Sequence, residues 1–119
     1  MRNFRTLKIW KEGIELVKMV YKVVDKLPTN ERFGLRSQMT RSAVSVPSNI
    51  AEGCSRNSEI EFKRFLEIAI GSLFELETQL IIALELNMID ETESKDLIDL
   101  IQMEERMING LINKIVKSR

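Results

Sequence analysis

Apolar residues recur along this chain at helical spacing almost from end to end. Leu7, Trp10, Ile14, Val17, Tyr21 and Val24 follow one another at alternating intervals of three and four. Ile9, Leu16, Val20 and Val23 form a second stripe beside them. That is the period of a helix face, and it predicts a first helix from about Thr6 to about Leu27. Lys18, Lys22 and Lys26 line its solvated side. Pro28 ends it, because the residue before a proline is pushed out of the α region.

A second helix is expected from Thr29 or Asn30, either of which can cap it, with Glu31 favourable in the first turn. Leu35, Met39, Ala43, Val46 and Ile50 mark its inner face. Pro47 lies within and either kinks the segment or divides it in two. Gly53 to Asn57 reads as the joint. Ser58 and Glu61 then form a capping box, the hydroxyl taking the N3 amide and the carboxylate reaching back to the cap amide. Phe62, Leu66, Ala69, Leu73, Leu76, Leu80 and Ala83 make one stripe of the third helix. Phe65, Ile68, Ile70, Phe74, Ile81 and Leu84 spread round its other sides, so it should be buried on more than one face. Asn87 suits a left-handed C-cap. Asp90 with Glu93 repeats the capping logic, and Leu97, Ile101, Ile108, Leu111 and Ile115 carry a fourth helix to the end. Joints this short make successive helices antiparallel neighbours. The expected fold is all-α, one domain over residues 1–119, an up-down-up-down bundle of four antiparallel helices.

Composition narrows the chemistry. Of 119 residues, 44% are hydrophobic and 30% charged, which fits a packed globular chain and excludes disorder. There is no histidine, which removes the commonest metal ligand and the commonest general base at neutral pH. The lone Cys54 excludes an internal disulfide and points to a reducing compartment. Met1 to Trp10 is basic without an apolar core, so no signal peptide is expected. Glu67, Glu75 and Glu77 interrupt the nearly uncharged run Phe65 to Leu84, so no membrane span is expected either. Cytoplasmic residence is the expectation. Net charge is zero, yet residues 1–57 carry 11 Lys and Arg against 5 Asp and Glu, and residues 58–119 carry 7 against 13, so the halves are +6 and −6. The division suits basic front helices paired with acidic back helices; the other reading is a basic surface that attracts phosphate.

Two stretches are unusual for a generic bundle. One is Phe33-Gly34-Leu35-Arg36-Ser37-Gln38, continuing to Arg41-Ser42-Ala43-Val44-Ser45-Val46-Pro47-Ser48-Asn49-Ile50-Ala51-Glu52-Gly53. The other is Ala69-Ile70-Gly71-Ser72-Leu73-Phe74-Glu75-Leu76-Glu77-Thr78-Gln79-Leu80. With the Leu7 to Trp10 opening, they resemble the four-helix-bundle family of 23S rRNA intervening-sequence proteins. The resemblance implies a bacterial protein, a left-handed bundle and a homopentameric ring. Relatives in diversity-generating retroelements are basic accessory proteins that bind a reverse transcriptase and nucleic acid; this chain differs from them in having no net charge.

Arg41, Asn49, Glu52 and Glu75 fall on the family's characteristic polar positions. They are expected to form a buried network that fixes helix register or a subunit interface, with Arg41 and Glu75 paired across facing helices. A catalytic carboxylate pair is the disfavoured alternative. A metal site from Glu52, Glu75 and Glu104 is disfavoured too, since di-iron bundles use Glu-x-x-His; no metal or cofactor is expected. Gly13 and Gly71, costly inside helices, are read as points of close packing, with Gly71-Ser72 a packing notch or subunit contact. Arg2, Arg5, Lys8, Lys11, Lys18, Lys22 and Lys26 form the best nucleic-acid candidate, diluted by Glu12 and Glu15 as i,i+4 partners of Lys8 and Lys11. The function these observations favour is a non-enzymatic oligomeric scaffold or adaptor that binds a macromolecular partner. An RNA- or DNA-binding accessory protein is the alternative, with weak binding.

Overall fold

A computed structural model describes residues 1–31 and 33–118. Four helices dominate it: α1 (Lys8–Val24), α2 (Leu35–Cys54), α3 (Glu59–Glu85) and α4 (Glu91–Lys117). There is no strand among the described residues. Short 3₁₀ turns at Phe4–Thr6 and Thr29–Glu31 precede α1 and α2.

The helices run antiparallel round a ring. Gly13 meets Pro47 near the middle of α1 and α2, while Asp25 pairs with Arg36 near one end. Ser45 bonds Ser72, while Gly53 abuts Phe65. Gln102 reaches Glu77 on α3, and Lys26 past the end of α1 reaches Glu93 on α4. Along α1–α2 and α2–α3, and along α1–α4 where Gly13 also faces Glu104, residue numbers rise on one helix as they fall on the other. The diagonal helices, α1 with α3 and α2 with α4, stay apart at the backbone level. The ion pairs Arg2–Glu59 at 2.6 Å and Lys26–Glu93 at 3.5 Å tie the basic front half to the acidic back half.

Local chemistry explains the ends. Asp90 Oδ1 accepts the Glu93 amide at 2.8 Å and Glu93 Oε1 accepts the Asp90 amide at 3.0 Å, a complete capping box. Ser58 Oγ accepts the Glu61 amide, but the Glu61 carboxylate takes the Ser58 hydroxyl instead of its backbone amide, so this box is half-formed. Asn87 has φ 58°, and the amides of Asn87 and Met88 bond the carbonyls of Leu84 and Ala83. That is the Schellman closure expected of a left-handed cap. The second helix starts later than its sequence suggests. Thr29 to Glu31 tighten into a 3₁₀ turn, and the Glu31 carboxylate accepts the Leu35 amide at 3.1 Å. Arg32 lies outside the described residues. Pro47 does not divide α2, which is continuous from Leu35 to Cys54.

One core runs the length of the bundle, from Leu27, Leu35 and Leu80 to Cys54, Phe62 and Ile115. On α1 the stripe that is buried is Ile9, Gly13, Leu16, Val20 and Val23. The stripe Leu7, Trp10, Ile14 and Val17 is half-buried, and Tyr21 is exposed. Gly13 supplies the missing member of the inner stripe, which a search for apolar residues passes over.

Candidate interaction surface

The seam between α2 and α3 is built of small polar residues. Ser45 Oγ and Ser72 Oγ share a hydrogen bond of 2.7 Å. Asn49 Nδ2 donates to Ser45 Oγ at 2.9 Å and to the Ser45 carbonyl at 2.8 Å. Small side chains on the floor leave a groove of about 410 Å³, lined by Gln38, Arg41, Ser42, Ser45, Ser72, Glu75 and Gln79. Both lips carry long side chains. Asn49 thus bonds Ser45 on this seam and none of Arg41, Glu52 and Glu75, the residues it was expected to join.

Arg41 and Glu75 line the same groove on facing helices but do not form the expected buried pair. Both are exposed. Arg41 donates only to Ser37 Oγ, at 3.3 Å, and Glu75 has no ion-pair partner among the described residues. The groove is wide at the lips because its floor is serine, so the two charges stay in solvent. Glu52 is not in the network either. It is exposed and pairs with Arg56 one turn on, at 3.0 Å. The three carboxylates Glu52, Glu75 and Glu104 do not converge, and no cluster of three metal-ligating side chains exists among the described residues.

Beside the groove, the outer face of α3 carries apolar side chains among the exposed Arg64, Glu67, Thr78 and Glu85. Ile60, Ile68, Phe74, Ile81 and Ile82 are all exposed, Phe74 at 59%, and Leu86 continues the band past the helix end. Exposed Val44 sits on neighbouring α2. The expectation that α3 is buried on more than one face is not met among the described residues: Phe65, Ile70 and Leu84 are only half-buried and Ile68, Phe74 and Ile81 are exposed. A second, shallower groove on this face runs between Gln38, Phe74, Glu75, Thr78, Gln79 and Ile82.

The glycines divide. A Cβ on Gly13 would stand 3.2 Å from Pro47 Cβ and 3.3 Å from Glu104 Oε2, so close packing is confirmed there. Gly71 is exposed with open space around it, so it is no packing notch within the chain. The tightest approach is at Gly53, where a Cβ would come within 2.8 Å of Phe65 Cβ. Gly53, read from sequence as the start of a joint, is instead a buried part of α2 that lets α3 close against it.

Of the basic set, Arg2 bonds Glu59, lies over the Phe62 ring at 4.1 Å and donates its amide to the Cys54 carbonyl. It is a strap across the end of the bundle. Arg5 lies over Phe4 at 4.6 Å. Lys18 pairs with Glu15, and Lys26 with Glu93. The expected pairs of Lys8 with Glu12 and Lys11 with Glu15 are not formed; Glu15 turns to Lys18 instead. Lys8, Lys11 and Lys22 remain exposed on one side of α1.

Two carboxyls on α4 carry most of the unusual electrostatics. Glu104 has 0% exposure and neither carboxyl oxygen has a hydrogen-bond partner among the described residues. Burial, helped by the negative charge of Glu12, pushes it up to about 8. Glu105 is pushed up to about 7, by burial first and then by the hydrogen bond and charge of Glu77, with Arg106 pulling the other way. Burial also raises the Cys54 thiol. Sequence reasoning reached Glu104 only as a metal ligand. Its signal was spacing: it fills the inward slot between Ile101 and Ile108, which the apolar pattern leaves blank.

No helix among the described residues is long and apolar enough to cross a membrane. No curated protein matches the chain in sequence. Among solved structures, it is similar to a protein of unknown function from the S23 ribosomal protein family of Bacteroides thetaiotaomicron. The two share 20% identity with a TM-score of 0.79 over 87% of this chain and 97% of that one, which establishes the fold. The model of the 23S rRNA-intervening sequence protein family matches residues 5–110. The family match spans most of the chain and the four-helix order agrees with it: the chain belongs to the 23S rRNA-intervening sequence protein family.

Proposed function

We propose that the protein is a non-enzymatic scaffold or adaptor that works as a ring of identical copies and presents that ring to a macromolecular partner. The observation that carries this reading is the set of exposed apolar side chains on the outer face of α3, with Phe74 and Ile82 beside a groove whose two charges lack ion-pair partners among the described residues. Contiguous apolar surface is rarely left open on a soluble monomer. A second copy fits it best. The +6 and −6 halves give one chain both members of a complementary charge pair, and Arg41 and Glu75 offer one of each at the edge of the band. Contact between different surfaces of identical chains closes into a ring when the rotation allows. Five copies is the number that the family resemblance implies. Sedimentation velocity tests the reading. The wild-type chain should sediment at micromolar concentration as one species several times 13.8 kDa, and Phe74→Asp should shift it to smaller species. An unchanged sedimentation coefficient for Phe74→Asp would remove the outer face of α3 from the account.

Exposed Lys8, Lys11 and Lys22 favour a second reading, nucleic-acid binding by basic stripes repeated round the ring. With zero net charge, binding per subunit should be weak and non-specific, on the order of 10⁻⁴–10⁻⁶ M at physiological salt. Avidity would strengthen it in the assembly. Fluorescence anisotropy with a generic RNA at two salt concentrations separates the readings. Salt-sensitive binding lost in Lys8→Glu/Lys22→Glu supports this second one.

A further inference from the structure

Glu104 is a carboxylic acid where the bundle should have a leucine. It follows Leu97 and Ile101 and precedes Ile108 on the inner face of α4, and it has 0% exposure. Its side chain reaches across the core. Oε2 and the Pro47 ring both lie within 3.3 Å of where a Cβ on Gly13 would stand, although α2 and α4 are diagonal helices. Glycine on α1 leaves room beside its backbone for both the Glu104 carboxyl and the Pro47 ring. Among the described residues neither carboxyl oxygen has a hydrogen-bond partner, and no cation compensates a charge there.

The surroundings reinforce this from every side. From α1 the carboxyl is faced by Glu12, a like charge. The buried residues of α2 and α3 include a single titratable group, the Cys54 thiol, seven residues beyond Pro47 and so about 10 Å further along the helix. On α4 itself, Glu105 and Arg106 follow, with Glu105 turned towards Glu77 on α3. An ionised carboxylate in such a place would forfeit its hydration without a partner in return.

We propose that the neutral carboxyl of Glu104 is a proton-operated latch: it lets α4 close on the Gly13–Pro47 contact between α1 and α2, and it frees α4 when the proton is lost. Opening lets water reach the carboxyl, the proton passes to that water, and the carboxylate left behind is stable only while solvated. Closing reverses each step. The latch lies in the core of one chain and does not depend on how copies associate. Its burial holds the carboxyl up at about 8, so opening grows more favourable as pH climbs towards that value.

The test compares the full chain with Glu104→Gln between pH 5.5 and 9. Amide hydrogen exchange is read for residues 98–112 as the wild-type to variant ratio at each pH, which cancels base catalysis of exchange. The ratio should climb towards tenfold per pH unit between pH 5.5 and about 8, where the open form releases a proton that the closed form keeps, and level off above about pH 8. Exchange in α2 should keep a constant ratio. The ¹³C resonance of the Glu104 carboxyl in the wild type gives a second readout that needs no variant: it should report the neutral acid at pH 6 and titrate near 8. A carboxyl already ionised at pH 6, or an α4 ratio independent of pH, would overturn the proposal.

Discussion

The outer face of α3 and the inner face of α4 depart from the same rule in opposite directions. On α3, Ile60, Ile68, Phe74, Ile81 and Ile82 face solvent although each would be more stable buried. On α4, Glu104 is buried although its charge would be more stable in water. The two departures differ in what can relieve them. A covered apolar face needs only a second surface of matching shape, which another copy can supply. A buried carboxyl has no such remedy in a closed core, and it responds by keeping its proton. The first departure therefore points outward, to association, and the second inward, to the pH dependence of the chain itself.

The largest expected effect is on the outer face. Phe74→Asp combined with Ile82→Asp should abolish self-association at micromolar concentration while leaving helicity unchanged, because losing a buried aromatic anchor costs at least ~2 kcal/mol and each Asp would bury an unpaired charge in the interface. Circular dichroism with sedimentation checks both halves of that statement.

Next comes Glu104. The folded chain holds its carboxyl proton up to about pH 8, whereas an unfolded glutamate releases it near 4.5. A raised carboxyl costs stability as pH climbs between those two values, since only the unfolded state gains from ionising, and the cost is complete above the folded value. At pH 7 it is about 3 kcal/mol. Glu104→Met should therefore stabilise the chain by about 3 kcal/mol more at pH 7 than at pH 4.5. Denaturant unfolding at the two pH values, in the dissociated Phe74→Asp background, measures the difference.

Two glycines sharpen the contrast between covered and open faces of the same bundle. Gly53→Ala forces a Cβ to within 2.8 Å of Phe65 and should cost roughly 1–3 kcal/mol through overpacking. Gly71→Ala meets nothing within 4 Å and should stabilise the dissociated chain by about 0.5–1 kcal/mol through helix propensity. Urea titrations of both variants in that background give the two signs.

Much of this was legible in the sequence. Helix number and order followed from spacing, and the caps at Ser58, Asn87 and Asp90 followed from short-range chemistry that depends on neighbours in the chain. What was not legible depended on a partner helix. Arg41 and Glu75 sit in small, apolar runs, which reads as burial; only the serine floor opposite shows that they stand on the lips of a groove. Gly53 looked like a turn because glycine often ends a helix, whereas its role is set by Phe62 and Phe65 across the joint. Glu104 was visible as a gap in a heptad-like stripe, yet a charge in that slot is so rare that the stripe was read around it. The α2 start was misplaced because Thr29 and Asn30 are good caps in isolation, while Glu31 caps Leu35 from a tighter turn.

The smallest expected effect concerns the charges at the groove. A buried pair would cost roughly 3–5 kcal/mol on losing one member. Exposed as they are, Arg41→Ala and Glu75→Ala should each change the stability of the dissociated chain by under ~0.5 kcal/mol. Thermal unfolding of the two variants checks this, and a large loss in either would restore the buried network.

The central claim is that the outer face of α3 is covered by another copy of the chain. Light scattering coupled to size exclusion, on the wild-type protein over a range of micromolar concentrations, tests it most directly. The account predicts one species whose mass is a fixed multiple of 13.8 kDa, about 69 kDa for five copies. A monodisperse 13.8 kDa monomer throughout that range would contradict it.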